Sequence, residues 1–151
     1  MQHRRALRLR QFDYSSGNLY FVTACARGRT CIFGIIENNA IELSPLGMVA
    51  RDHLIAIPAH HASSTVDSFA VMPNHVHFLL GLGGSAGVTL GDIVGSYKAA
   101  VTRSSRRTGL WQRGYHDHVV RDEDDLARIR EYIATNPARW ALNPEKPVRP
   151  R

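Results

Sequence analysis

Two histidines separated by a single residue are the clearest chemical feature of this sequence. His75 and His77 lie at the start of an apolar run, Asn74 to Leu82, which predicts a β-strand. Because alternate side chains of a strand share a face, both imidazoles should point one way while Val76 points into the core. Two neighbouring imidazoles can bind one metal ion, although the same spacing also occurs among purely structural histidines.

A second group of candidate residues lies near the C-terminus. Asp122 is a suitable N-cap for a helix that starts near Glu123 and runs past Tyr132, with further acidic residues in its first turn. Tyr132 and Asn136 are four residues apart and therefore share one face of that helix. If the helix covers the two histidines, it presents a phenol and an amide oxygen towards them. The amide oxygen can be a third metal ligand beside the two imidazoles, and these three donors suit Mg²⁺ or Mn²⁺. Core packing of Tyr132 and a helix stop at Asn136-Pro137 are the simpler alternatives.

These elements fit into a recognisable order along the chain. Strands are expected at Leu19–Cys25, Val66–Val71, 74–82 and 111–121, with a short extended piece at Ala40–Leu43. One helix should start at Ser44-Pro45 and end at Pro58, and another should run from Thr89 or Gly91 to about Gly109. The sequence therefore predicts an α+β fold, a ferredoxin-like βαββαβ antiparallel sheet with an additional C-terminal helix that carries Tyr132. The two histidines should then lie on a central strand and face away from the two crossover helices.

Charge is segregated along the chain. The 151 residues include 19 basic and 13 acidic side chains, a net charge of +6. Basic residues cluster in 4–10, and the basic segment 93–116 contains no acidic residue. This segregation indicates a polyanion-binding face, and the planar guanidinium of arginine matches the oxygens of a phosphate. A GC-rich genome would also enrich arginine, and Lys98 could equally be a solvated surface lysine. The predicted DNA contacts are Arg4, Arg5, Arg8, Lys98, Arg103, Arg106, Arg107 and Arg113.

The bulk properties predict one intracellular domain. Residues 1–142 should form that domain, with a basic N-terminal arm, and the Pro-rich tail 143–151 should be disordered. No apolar run could span a bilayer and no secretory signal is visible, so we expect a cytoplasmic protein with no membrane partner. Cys25 and Cys31 lack a CxxC spacing and are expected to be reduced thiols.

Three ordered blocks resemble the REP-associated tyrosine transposases, within the HUH single-strand DNA transposase superfamily. The blocks are 71–77, 111–121 and 131–137, and weaker similarity at 21–23, 43–47 and 96–98 extends the match over nearly the whole chain. The resemblance implies that His75 and His77 bind a divalent metal, with Tyr132 as nucleophile and Asn136 as third ligand. It implies a metal-dependent transposase or endonuclease that cleaves and rejoins single-stranded or hairpin DNA through a 5′-phosphotyrosine intermediate, using Mg²⁺ or Mn²⁺.

Other interpretations stay open at this point. Tyr115 is a rival nucleophile near His116 and His118, but strand alternation places it opposite both, and the family's nucleophile lies in the helix block. A domesticated relative could bind repeat hairpins without catalysis. A hydrolase could use the two-histidine metal to activate water, which leaves Tyr132 without a role. The protein could act as a monomer or a homodimer.

Overall fold

The computed structural model describes residues 17–83 and 87–142. The predictions for Arg4, Arg5 and Arg8 and for the tail 143–151 lie outside the described residues. The strands are β1 (Gly17–Cys25), β2 (Gly34–Glu37), β3 (Ala40–Leu43), β4 (Ser64–Met72), β5 (His75–Gly83) and β6 (His116–Val119). The helices are α1 (Pro45–Ile55), α2 (Ile57–His60), α3 (Leu90–Ser105) and α4 (Glu123–Leu142).

The main sheet has four antiparallel strands in the order β4-β5-β1-β6. β5 is therefore central, and its register places His75 opposite Cys25 and His77 opposite Thr23 of β1. Together with α1 and α3 as crossover helices and α4 at the end, this order confirms the predicted α+β, ferredoxin-like fold.

The sheet is packed on both faces. On one face α1 and α3 enclose a core that includes Leu54, Phe78 and Ile93. On the other face α4 packs Ile129 and Ile133 against residues of β1 and β5. A strand that is covered on both sides has an unbroken apolar sequence, which explains the run that follows the histidines. His75 and His77 both face α4, as strand alternation predicted.

Two strand predictions needed correction. β3 pairs with β2 in a separate hairpin whose first strand was not predicted. Its turn is Asn38-Asn39, both with positive φ (51° and 61°), and asparagine is among the residues that adopt this conformation in two-residue hairpin turns. The predicted strand 111–121 was too long, because only His116–Val119 pairs as a strand. Trp111 forms an isolated bridge to Ala26.

The helix starts were predicted well and the helix ends less well. Ser44 caps α1 by accepting a hydrogen bond from the Gly47 N–H at 3.0 Å, and Asp122 accepts one from the Asp125 N–H at 2.8 Å. α1 ends at Ile55, before the predicted Pro58, which instead lies in the first turn of α2, where a proline loses no hydrogen bond. α3 ends at Ser105, short of Gly109, because Arg106 adopts a left-handed conformation.

The longest helix contains an internal proline. α4 continues through Pro137 to Leu142, so Asn136-Pro137 does not end it. Pro137 has no N–H to donate to the carbonyl of Ile133, which weakens the helix directly after Asn136. Tertiary packing of Trp140, which is buried, offsets that loss. No helix in residues 17–83 and 87–142 is long and apolar enough to cross a membrane.

Candidate active site

The two imidazoles of β5 converge on each other. His75 and His77 are fully buried, and their Nε2 atoms lie 2.9 Å apart. The outer nitrogen of each ring is held by a polar neighbour. Nδ1 of His75 lies 2.7 Å from Oδ1 of Asn74, and Nδ1 of His77 lies 2.9 Å from Oγ1 of Thr23 on β1. Both Nε2 atoms are therefore directed towards one point.

The tautomer of His75 follows from its neighbours. Asn74 donates from Nδ2 to the carbonyl of Arg29 at 3.3 Å, so its amide oxygen faces His75. An amide oxygen can only accept, and the neutral His75 ring must therefore carry its proton on Nδ1. Its Nε2 lone pair then points towards His77. Metal-binding histidines are commonly oriented in this way by a polar group on the far side of the ring.

Both rings are electrically neutral near pH 7. Burial lowers the pKa of His75 to about 4; the nearby Asn136 amide opposes this shift and the Arg29 charge adds to it. Burial, and then the proximity of His75, place the pKa of His77 well below its usual range. Neutral imidazole is the form that binds metals, so neither ring has to lose a positive charge first.

Helix α4 places the other two predicted site residues over these rings. Tyr132 is 5% exposed, and its ring centroid lies 5.5 Å from that of His77. Asn136 is 2% exposed, and its Oδ1 accepts no well-formed hydrogen bond from any residue in the described ranges. Trp140, one turn further on, lies 6.1 Å from His75 between ring centroids. The structure thus brings together all four side chains that the sequence singled out.

Two polar contacts hold α4 in this position. Arg130 donates from Nε and Nη2 to the two carboxylate oxygens of Asp67 on β4, both at 3.0 Å. At the start of the helix, Asp125 accepts hydrogen bonds from the Arg121 N–H at 3.0 Å and from His118 Nε2 at 2.8 Å. The helix is therefore fixed to the region of both edge strands. Neither contact was predicted from the sequence, because each joins residues whose proximity depends on the sheet order.

These donors fit a divalent metal ion. Two Nε2 lone pairs at 2.9 Å repel each other unless a cation or a proton lies between them, and within residues 17–83 and 87–142 the buried Asn136 oxygen has no well-formed hydrogen bond. Two imidazoles and one amide oxygen suit a borderline or hard divalent ion with further positions open. In the described parts of the chain no three or more His, Cys, Asp or Glu side chains cluster as metal ligands, so the set depends on the amide.

Tyr115, the rival nucleophile, lies on the other side of the sheet. It packs against the core under α1 and α3. Burial, followed by Asp117 and Tyr20, raises its pKa, which makes it a weaker candidate for an ionised nucleophile. The geometry therefore favours Tyr132.

Most of the predicted DNA contacts lie away from the imidazoles. Lys98 donates to the carbonyls of Gln112 and Gly114 at 2.9 and 2.8 Å, so it fixes the loop before β6. Trp111 and Tyr97 pack near each other in the helix-side core, 5.9 Å between centroids. The four predicted arginines in the described ranges are exposed, and their contact with DNA stays a prediction: Arg103, Arg106, Arg107 and Arg113.

Two arginines near the imidazoles and Tyr132 were missed. Arg29 follows β1, and its charge lowers the pKa of His75. The Cζ atom of Arg139 lies 5.5 Å from the ring centroid of Tyr132. Spacing on α4 could have identified Arg139, seven residues after Tyr132, but nothing local in the sequence pointed to Arg29.

Two proteins are similar in sequence to this chain over most of its length. It is 32% identical over 164 aligned residues to an uncharacterized protein of Haemophilus influenzae, and the match covers 93% of this chain and 91% of that protein. A second protein of Haemophilus influenzae, described as "Putative REP-associated tyrosine transposase", is 24% identical over 84% of this chain and 74% of its own length. No protein-family model matches the chain.

Two solved structures share the fold. One is a REP-associated tyrosine transposase bound to a REP hairpin, with a TM-score of 0.67 and 17% identity over 87% of this chain and 84% of that one. The other is described as a "putative transposase" from Deinococcus radiodurans, with a TM-score of 0.54 and 20% identity over 78% of this chain and 89% of that one.

Proposed function

Since the chain belongs to the REP-associated tyrosine transposases, we propose that it cleaves and rejoins single-stranded or hairpin DNA through a 5′-phosphotyrosine intermediate. The meeting of Tyr132 and Asn136 with His75 and His77 in one buried cluster carries this proposal. Hairpin DNA is the expected substrate because a relative of the same fold was solved with a REP hairpin. A cytoplasmic protein, acting as a monomer or a homodimer, is consistent with such a substrate.

Tyr132 acts as the nucleophile in this proposal. Its phenolic oxygen attacks the scissile phosphorus, and the bond from phosphorus to the 3′-oxygen breaks. The tyrosine loses its proton and the departing 3′-oxygen gains one, which leaves a 5′-phosphate joined to Tyr132 and a free 3′-hydroxyl. Attack by a second 3′-hydroxyl on the phosphotyrosine reverses the step and joins two strands. No ATP is needed, since the phosphotyrosine linkage conserves the energy of the phosphodiester bond that was broken.

The remaining site residues bind and orient. Mg²⁺ or Mn²⁺ would be held by Nε2 of His75, Nε2 of His77 and Oδ1 of Asn136. When bound, that ion polarises the scissile phosphate and stabilises its developing charge. A tyrosine with a pKa of roughly 10 needs such help to act as a nucleophile. Exposed arginines position the flanking phosphates without reading the sequence.

The test is a denaturing gel of the purified protein with labelled hairpin oligonucleotides from its own genomic flanks. With Mg²⁺ or Mn²⁺ we expect a shifted, protease-sensitive band that a chelator abolishes. Tyr132→Phe should lose the band, and Tyr115→Phe, a matched control on the opposite face of the sheet, should keep it. An adduct that persists in Tyr132→Phe contradicts the assignment.

Hairpin binding without turnover is the second candidate function. The burial of Tyr132 and Asn136 favours it, because neither side chain is open to solvent in this structure. This function predicts a retarded complex on a native gel, with no covalent adduct for any oligonucleotide or metal. The same pair of gels therefore separates the two functions.

A further inference from the structure

One arginine of α4 lies against the candidate nucleophile. Tyr132, Asn136 and Arg139 are spaced by four and three residues, so they form one stripe along the helix. The Arg139 guanidinium carbon lies 5.5 Å from the centroid of the Tyr132 ring. Its Nε donates to Oγ1 of Thr135 at 3.1 Å, which directs the side chain back along the helix towards Tyr132.

Arg139 differs from the other arginines of α4 in its charge balance. Arg128 pairs with Asp125 at 2.6 Å, and Arg130 pairs with Asp67 at 3.0 Å. Arg139 is exposed and has no carboxylate partner among the residues that the structure describes. Only its Nε is engaged by a side chain in those ranges, so both terminal nitrogens can donate elsewhere.

The chemistry of Tyr132 indicates what these nitrogens would bind. A phosphate joined to the phenolic oxygen would lie next to the ring over which the Arg139 guanidinium is held. A guanidinium can donate two parallel hydrogen bonds to the non-bridging oxygens of one phosphate, and such charge-assisted pairs are among the strongest in proteins. A tyrosine ring alone needs no cation for packing, and an exposed cation–π contact contributes little.

We propose that Arg139 is a phosphate-binding residue that contacts the phosphate attacked by Tyr132 and retains the resulting 5′-phosphate. The proposal rests on the proposed function, because it assumes that a DNA phosphate reaches Tyr132. It nevertheless predicts a property that can be measured without cleavage, namely a preference for DNA that ends in a 5′-phosphate.

The experiment compares the affinities of two 3′-labelled single-stranded oligonucleotides that differ only in a 5′-phosphate or 5′-hydroxyl. Fluorescence anisotropy in the presence of chelator removes any contribution from metal or turnover. The variants are Arg139→Gln, which keeps much of the side-chain length, and Arg139→Lys, which keeps the charge. Arg51→Gln is the matched control, since Arg51 is a partly exposed arginine on α1, on the opposite face of the sheet.

The wild type should bind the 5′-phosphorylated strand about tenfold more tightly, as expected for one charge-assisted contact. Arg139→Gln should abolish that preference, Arg139→Lys should retain part of it, and Arg51→Gln should leave it unchanged. An unaltered preference in Arg139→Gln, or no preference in the wild type, overturns the proposal. Thermal unfolding shows whether each variant is folded. If Arg139→Gln does not fold, Arg139→Lys serves as the test variant.

The adduct gel reports on the proposed function separately. A wild type that forms the Tyr132 adduct but shows no 5′-phosphate preference overturns the role of Arg139 alone. A preference that depends on Arg139, without any adduct, supports the phosphate site and contradicts strand cleavage.

Discussion

The Nε2 atoms of His75 and His77 face each other across 2.9 Å, and each ring is fixed from behind by a different strand or turn. Such a pair of nitrogens can share either a proton or a bound cation. A metal ion that binds only the folded protein must therefore stabilise it.

The first prediction concerns metal-dependent stability. Mn²⁺ at about 100 times its Kd stabilises a protein by about 2.7 kcal/mol, which corresponds to roughly 5–10 °C in Tm for a chain of this size. His77→Ala should abolish this increase in Tm because it removes one of the two proposed nitrogen ligands. Differential scanning fluorimetry with Mn²⁺ and with chelator measures it. His60 is an exposed histidine at the end of α2, and His60→Ala should show the same increase in Tm with Mn²⁺ as the wild type. An equal Mn²⁺ response in His77→Ala would show that the ion binds elsewhere.

The second prediction concerns the group behind His75. Asn74→Ala removes the acceptor for His75 Nδ1 and the link to the Arg29 carbonyl. Loss of such an orienting group should weaken Mn²⁺ binding roughly 10–100-fold. Asn74→Asp keeps an acceptor and should bind closer to the wild type. Isothermal titration with Mn²⁺ gives the affinities, and similar values for both variants would argue against the orienting role.

The third prediction concerns the attachment of α4. The carboxylate of Asp67 is buried and accepts two hydrogen bonds from Arg130, so Asp67→Ala leaves a partly buried guanidinium without its carboxylate. We expect a loss on the order of 3 kcal/mol in the free energy of unfolding. Asp52→Ala breaks an exposed ion pair with Arg51 and should cost at most about 1 kcal/mol. Urea denaturation compares the two, and equal losses would mean that the Arg130 contact does not hold the helix.

The fourth prediction concerns acid stability. Burial alone would raise the pKa of Asp125, but hydrogen bonds from the Arg121 N–H, His118 and Arg128 outweigh it and lower the pKa to about 2. A carboxyl with a depressed pKa in the folded state stabilises the protein fully above its unfolded pKa of roughly 4, and this contribution is lost as the pH falls towards 2.

Asp125→Asn tests this contribution directly. The variant should lack a stabilisation on the order of 2 kcal/mol at neutral pH and should show a smaller further loss between pH 4 and 2. Urea unfolding across that pH range measures the slope. Parallel profiles for the variant and the wild type would assign the acid sensitivity to other carboxyl groups.

Local rules predicted much of the candidate site from the sequence. Strand alternation placed His75 and His77 on one face, and helical spacing placed Tyr132 with Asn136, because both periodicities depend only on backbone geometry. The caps Ser44 and Asp122 were predicted for the same reason, since a capping side chain bonds to a backbone group a few residues away. The two candidate pairs are therefore properties of short segments.

Contacts between distant segments were decided only by the tertiary structure. Asn74 meets Arg29, and Asp67 meets Arg130, only because β5 lies between β1 and β4 and α4 crosses the face away from α1 and α3. Lys98 binds loop carbonyls that fold back onto α3, a contact that the sequence did not indicate, and its contact with DNA stays a prediction. Chain pattern specifies which side chains share a face. Which faces meet depends on burying the apolar surfaces of all elements at once, and no short stretch of sequence encodes that choice.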